Sequence, residues 1–488
     1  MPRADDHDRP PLGLVVEFCR ALGEAGVDYC HWKSNEAIAL SANGVNDLDL
    51  LVARSHSRVF EAVAARMGFR RARPSADRLV PGLLDSYGRD PETGLLVHLQ
   101  AHYQLVLGDD MTKSFHLPIE EAYLASCFQH DVFRLPAPEL ELMMLVLRLT
   151  LKHNTWDAMA CAQGALAPSE RRELDHLRAL VDDRQLATAV DQTIPFIGAE
   201  LVDRCLGALA PDAPWGERIA AAAALEAAMA GHHRLSPVVD VPTKVARRFR
   251  RGASRYLLGR RARKRIDEGG LLIAVVGSDG SGKSSAIDHL ATMLTPFPVR
   301  HFHLGKPRRP LPSQMARLVL RAGRVAKVFP SFTAPPEDPS APPHWTYLLW
   351  HAINASDRRR EYRRARRFAS NGGFALCDRF PLPGLIRTDG PRIEWQTAGR
   401  PMSAFGRLMA RVEKRRYADV CPPDLLIVLT VDPDRAVRRR PEQDADFVRP
   451  RAEEILAATW PASAAVIDAN ADHDKVLDEV AAVVWERL

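Results

Sequence analysis

Eight consecutive residues, Gly277-Ser278-Asp279-Gly280-Ser281-Gly282-Lys283-Ser284, fit the pattern G-x-x-x-x-G-K-[ST] at every fixed position. Glycine at 277, 280 and 282 lets a backbone approach an anion where a side chain would collide. The Lys283 ammonium would reach the outer phosphates of a nucleoside triphosphate, the Ser284 hydroxyl would hold magnesium, and Ser285 is the last of the residues expected to bind the nucleotide. At the residue frequencies of this chain, such a pattern should arise by chance on the order of a few times in a thousand sequences of this length. ATP and Mg2+ are therefore the expected cofactors.

A loop of this kind needs a strand to deliver it and a helix to receive it. The run LLIAVV before Gly277 reads as a buried strand, and SSAIDHLATML after Lys283 as a helix, so backbone N–H groups can converge on a phosphate at the positive helix end. Further strands are expected at VRHFHLG, GFALCD, DLLIVLTVD and AAVIDA, with helices over 345–370 and around 407–417. That alternation predicts an α/β fold with a parallel sheet covered by helices on both faces. Nine prolines fall between Lys306 and Pro343, and the end of that stretch, FTAPPEDPSAPP, reads as an irregular connection.

The loop, together with A-S-D-R at 355–358, C-D-R-F at 377–380 and PPDLLIVLTVDPDRAVRRR at 422–440, resembles the thymidylate kinase group of nucleoside monophosphate kinases over about residues 269–488. The resemblance implies a P-loop kinase that transfers the γ-phosphate of ATP to a small phosphate acceptor. It implies that Asp279 contacts the acceptor sugar, that Asp378 organises magnesium or its water, and that Arg379 grips the acceptor. It also places Arg438, Arg439 and Arg440 on a lid over the phosphates, with Arg449 and Arg451 as later candidates on the same lid. No arginine occurs at 278–282, so a second cation must come from elsewhere in the chain. Arg358 aligns with an arginine that touches the acceptor base, although Arg359, Arg360, Arg363 and Arg364 beside it also suit a plain basic helix face. Two departures fall in the acceptor pocket. His303-Leu304-Gly305-Lys306-Pro307 keeps a cation at Lys306 but lacks the family's carboxylate, and PLPGLIRTDGPR at 381–392 replaces the residues that recognise thymine.

A second, weaker constellation lies near the N-terminus. Lys33-Ser34-Asn35 followed by Asn46-Asp47-Leu48-Asp49 resembles the nucleotidyltransferase pattern of a Gly-Ser turn and an Asp-x-Asp strand. Carboxylates at alternate strand positions share a face, so Asp47 and Asp49 could share a metal ion, with Ser34 on a phosphate. Lys33 replaces the glycine, and His98, Gln100 or His102 stands where a third carboxylate is expected. The alternative function is thus nucleotidyl transfer onto a sugar, lipid or protein, with the C-terminal domain as a nucleotide sensor.

The whole chain of 488 residues, 46% apolar and 26% charged, is long enough for about three domains and excludes a disordered or fibrous protein. The expected domains are a small α+β nucleotidyltransferase-like unit at 1–136, a helical domain at 137–235, a basic linker at 236–268 and the kinase-like domain at 269–488. Helices are expected over 11–25 and 55–67, with strands at 28–32, 47–52 and 94–108. The linker stretch 244–265 carries eleven basic residues and no acid. It reads as a solvated helix or as a dock for an acidic membrane surface through Phe249, Tyr256, Leu257 and Leu258. No specific nucleic-acid partner is indicated, and a homo-oligomer stays open. Scattered cysteines, seven in all and without a C-x-x-C pair, read mostly as packed thiols. With no apolar run at the start, the expected compartment is the cytoplasm, with peripheral attachment at the inner membrane face as the variant.

Overall fold

The structure is a computed structural model describing residues 9–161, 163–256, 263–330, 338, 340–382, 385 and 390–488. It is a mixed α/β architecture with about 51% helix. No helix among the described residues is long and apolar enough to cross a membrane. Contacts divide the chain into two compact units, residues 1–264 and 265–488. Most of the expected irregular segment after Phe332, six residues of 381–392, and Leu257 and Leu258 of the linker lie outside the described residues. Cys19, Cys30, Cys205 and Cys377 are buried thiols, whereas Cys161 and Cys421 are exposed.

In the first unit, α1 (Gly13–Glu24) places Leu14, Val15, Phe18 and Leu22 on one buried face, as its 3.6-residue period requires. Five strands follow: β1 (Tyr29–His31), β2 (Leu48–Val52), β3 (Arg70–Arg73), β4 (Leu83–Arg89) and β5 (Leu96–His102). They lie in the order β1-β2-β5-β4-β3, with β2 and β5 parallel and the other pairs antiparallel. The period-2 alternation of β2 sorts its side chains. Leu48, Leu50 and Val52 join α1 and α2 (Ser57–Arg66) in one core, while Leu51 joins Cys30, Trp32 and the helices that follow in another. That second core runs into α3 (Pro138–His153) and α4 (Pro168–Leu180), so the expected boundary at 136/137 falls inside a shared apolar core. The basic stretch is largely helical, as α5 (Pro237–Tyr256). Lys244 and Arg248 on it are not solvated: Lys244 pairs with Asp240 at 2.8 Å, and Arg248 with Asp109 at 2.7 Å and Asp157 at 3.0 Å.

The second unit carries β6 (Leu272–Gly277), β7 (Val299–His303), β8 (Phe374–Asp378), β9 (Leu425–Thr430) and β10 (Ala465–Asp468), all parallel in the order β7-β8-β6-β9-β10. Three near-continuous apolar runs form its centre, β6, β8 and β9, as strands buried on both faces demand, while the outer strands β7 and β10 are partly exposed. Its helices of six residues or more, among the described residues, are α6 (Lys283–Met293), α7 (Leu311–Val325), α8 (Trp345–Ser370), α9 (Ala404–Ala418), α10 (Pro433–Arg438), α11 (Ala445–Ala457) and α12 (His473–Glu486). The central strand β6 therefore delivers Gly277 at its C-terminal end, beside Asp378 at the end of β8. Ligands of open parallel sheets bind at such strand ends.

Candidate functional site

The Gly277–Ser284 loop is built around space that only glycine leaves. A Cβ on Gly277 would stand 2.7 Å from the Leu429 carbonyl and 2.4 Å from Ser281 Oγ. Gly280 has φ +85 and would set a Cβ 2.8 Å from the Ala436 carbonyl, and Gly282 opens α6 at φ +90. The first N–H groups of α6 have no acceptor within the helix, and its dipole adds positive potential at that end.

Two buried hydroxyls line the loop, and neither Ser278 Oγ nor Ser281 Oγ finds a hydrogen-bond partner among the described residues. The Lys283 ammonium folds back and donates to the Ser278 carbonyl at 2.6 Å. Burial lowers its pKa to about 8, with Arg379 and Arg440 pushing the same way against the attraction of Asp279 and Asp378. Ser284 and Ser285 are exposed at the helix start.

Asp279 is clamped by two cations, accepting from Arg379 at 3.1 Å and from Arg451 at 3.0 Å. Arg379 adopts φ +53, a left-handed backbone that costs energy for a residue with a Cβ. Gly305 gives it room, since a Cβ there would lie 2.6 Å from Arg379 Cδ. Arg451 stacks on Phe447, its guanidinium 3.6 Å from the ring centroid. Gly277, Ser278, Asp279, Lys283, Arg379, Phe380 and Arg451 thus line one small cavity. Asp378 sits beside it, with Oδ2 3.8 Å from His303 Nε2 and Oδ1 buried without a hydrogen-bond partner among the described residues.

The other expected residues divide. Arg439 donates to the Gly280 carbonyl at 3.2 Å, whereas Arg440 turns to Glu442 at 3.2 Å and Arg438 is exposed at the end of α10. Arg449 pairs with Asp434, whereas Arg451, from the middle of α11, lines the cavity. Lys306 is exposed, its backbone N–H resting on His303 Nδ1 at 3.3 Å. Arg358 donates to the Leu304 carbonyl at 3.2 Å and to the Tyr417 hydroxyl, tying the loop after β7 to α9, while Arg359, Arg360, Arg363 and Arg364 line a different groove.

In the first unit the N-terminal constellation is present but internally neutralised. The register puts Asp49 opposite Gln100, and Gln100 opposite Asp85, so a carboxylate on β4 shares the row that Asp49 begins. Sequence reading missed Asp85, because LLDSYGR alternates too weakly to announce a strand. Lys33 lies 2.8 Å from Asp49 and His102 3.5 Å from the same oxygen. His98 bridges Asp47 at 2.8 Å and Asp85 at 2.9 Å, and Lys264 reaches Asp85 at 2.7 Å. Burial opposes the charge of Asp49, yet Lys33 and then His102 hold its pKa well below the usual range. Burial likewise opposes charge on His98, but its two carboxylate partners raise its pKa. Ser34, at φ +61, gives its N–H to Glu173 at 2.8 Å, and Asn35 gives its own to Glu141 at 3.3 Å. The turn expected to hold a phosphate thus holds the protein's own carboxylates. Among the described residues, no three His, Cys, Asp or Glu side chains gather into a group that could hold a metal ion.

No protein-family model matches this chain, and a search of curated proteins finds no match for it.

Proposed function

We propose that this chain is a P-loop kinase that transfers the γ-phosphate of Mg-ATP to a small phosphate-bearing acceptor, a nucleoside monophosphate or a related molecule. The observation that carries the reading is the Gly277–Ser284 loop, set between a central parallel strand and α6, with two buried hydroxyls that lack partners among the described residues and a lysine that donates to a carbonyl of its own loop. A triphosphate is the anion that such a cradle fits. On binding, Lys283 would exchange the Ser278 carbonyl for phosphate oxygens, regaining the charge that burial disfavours. Arg379, Arg451 and Arg439 supply further cations around the loop, as phosphoryl transfer requires for the charge spread over its equatorial oxygens. Release of either arginine from Asp279 would free a guanidinium for the acceptor phosphate and a carboxylate for an acceptor hydroxyl.

The residues at the strand end also suit magnesium. Ser284 and Asp378 would hold the ion, Asp378 having a buried oxygen without a partner among the described residues. Bound there, magnesium would neutralise phosphate oxygens as a Lewis acid. A phosphate acceptor is already mostly ionised at neutral pH, so the site needs no strong general base.

One observation favours a second reading, nucleotidyl transfer by the first unit with the second as nucleotide sensor. Asp85 supplies the carboxylate that the sequence lacked, although Lys33, His98, His102 and Lys264 already neutralise the set. Acceptor-dependent release of ADP, screened over nucleoside monophosphates, nucleosides and sugars, tests the proposal. Lys283→Ala should abolish it, and persistent transfer of a nucleoside monophosphate by that variant would favour the second reading.

A further inference from the structure

The helix α7 is packed inside out. Its buried side is mostly polar: beside Leu320, Ser313 donates to Asp357 at 2.6 Å, and Arg317 reaches Asp357 at 3.0 Å and Asn354 at 2.6 Å while lying over the Trp350 ring. Its outward side is aliphatic, with Leu311 76%, Met315 61%, Leu318 61% and Val325 84% exposed. At about 100° per residue, these residues and exposed Val319 fall within an arc of about 120°. A stripe of that width ordinarily faces a core.

Beside it runs a groove of about 890 Å3 between α7 and α8. Pro312 and Ala316 line it from α7, next to the apolar arc, and Arg359, Arg360, Arg363, Arg364, Arg367 and Arg416 line its other side. Arg359 pairs with Asp419 and Arg364 with Glu361, but among the described residues Arg360, Arg363, Arg367 and Arg416 meet no carboxylate. Between Lys306 and Val328 the chain has seven basic residues and no acid.

We propose that the α7–α8 face docks on an anionic phospholipid surface, with the arginine groove taking headgroup phosphates and the apolar stripe of α7 entering the interface. Aliphatic side chains flanked by cations are the composition of an interfacial helix. A second copy of the chain fits worse, because pairing α7 with itself would bring Arg321, Arg324 and Lys327 against like charges. Single-stranded nucleic acid fits worse too, since the stripe offers no ring for bases to stack on.

The test is cosedimentation of the full chain with vesicles of phosphatidylcholine alone or with one quarter phosphatidylglycerol. Binding is expected for the anionic vesicles only, weakening with salt. Met315→Asp with Leu318→Asp should reduce it more than tenfold, and Arg360→Ala with Arg363→Ala and Arg367→Ala on the order of fivefold per arginine. These side chains are partly or fully exposed, so the variants should keep the wild-type circular dichroism. Phe249→Asp on α5 should leave binding unchanged. The proposal is overturned if wild type ignores anionic vesicles at low salt, or if Phe249→Asp rather than the α7 variant abolishes binding. It is equally overturned by concentration-dependent dimers that Leu318→Asp dissolves without any vesicle binding, or by an oligonucleotide that binds more tightly than vesicles through the same arginines.

Discussion

The Gly277–Ser284 loop and the Lys33–Asn35 turn each set backbone N–H groups beside a lysine, yet the chain completes them in opposite ways. In the second unit the loop keeps two buried hydroxyls without partners among the described residues, and its lysine donates to a loop carbonyl. In the first, Glu173 and Glu141 accept from the turn, and Lys33 is spent on Asp49. A site that must receive a ligand holds polar groups in reserve at a cost in stability, whereas one satisfied from within gains rigidity and gives up affinity for an outside anion. On the proposed function, phosphate chemistry belongs to the second unit, whereas the turn of the first is satisfied by the protein's own carboxylates.

The most forceful way to break this comparison is to damage the open loop. Lys283→Ala should lower phosphoryl transfer roughly a hundredfold or more, the scale of losing one preorganised charge at a developing anion. Gly277→Ala should do comparable harm through the Leu429 carbonyl and Ser281, and the same clash should lower the thermal transition. Steady-state kinetics with Mg-ATP checks both. Asp47→Ala with Asp49→Ala should leave the same rate intact, and a matching loss there would remove the contrast.

The next largest effect lies in the filled turn. Glu173 is buried, receives the Ser34 N–H, and forms a two-pronged pair with Arg148 at 2.9 and 3.1 Å. Glu173→Ala strands both partners, and removing one side of a buried pair costs about 3–5 kcal/mol. Urea unfolding should show that loss, and a change under about 1 kcal/mol would mean that the turn does not need its internal anion.

The open site was legible in the sequence because its chemistry is contiguous. Eight residues name the loop, and the apolar runs that become β6, β8 and β9 are unmistakable in a fully buried parallel sheet. The filled site was not legible, since Glu173 reaches Ser34 across 139 residues and Asp85 sits on a strand whose neighbour, RRAR, looks like a solvated loop. Likewise, Arg451 was one of several lid candidates until the fold brought it 3.0 Å from Asp279. Helix α7 escaped notice because flanking prolines suggested irregular chain, and its polar face turned inward against the usual pattern.

A smaller effect sharpens how the filled turn depends on pH. Burial raises the Glu141 pKa to about 7, while its unfolded value stays near 4.5. Its contribution to stability is therefore full below pH 4.5 and is lost as pH rises through 7. Glu141→Gln keeps an acceptor for Asn35, so it should match wild type near pH 4.5 and exceed it by about 2 kcal/mol at pH 8. Denaturant midpoints at the two pH values decide the matter, and equal midpoints at pH 8 would show that Asn35 and Arg148 offset the buried charge completely.

The smallest effect concerns the reserve charge of the open loop. Lys283 has a folded pKa of about 8 against an ordinary value of 10.5. Below pH 8 both states carry the proton, and the fold bears the whole cost of burying it. Between pH 8 and 10.5 the unfolded chain holds more protons than the folded one, so stability rises with pH and the cost fades. Replacing the ammonium by a methionine should therefore stabilise the second unit by about 1 kcal/mol at pH 7, part of the gain being offset by the lost bond to Ser278. The gain should shrink to nothing by about pH 10.5, and Mg-ATP should reverse its sign by stabilising wild type alone. Melting curves of Lys283→Met and wild type at pH 7 and pH 10, with and without nucleotide, read all of this. A variant less stable than wild type at pH 7 without nucleotide would mean that the lysine is a structural member of the loop, as satisfied as its counterpart at position 33.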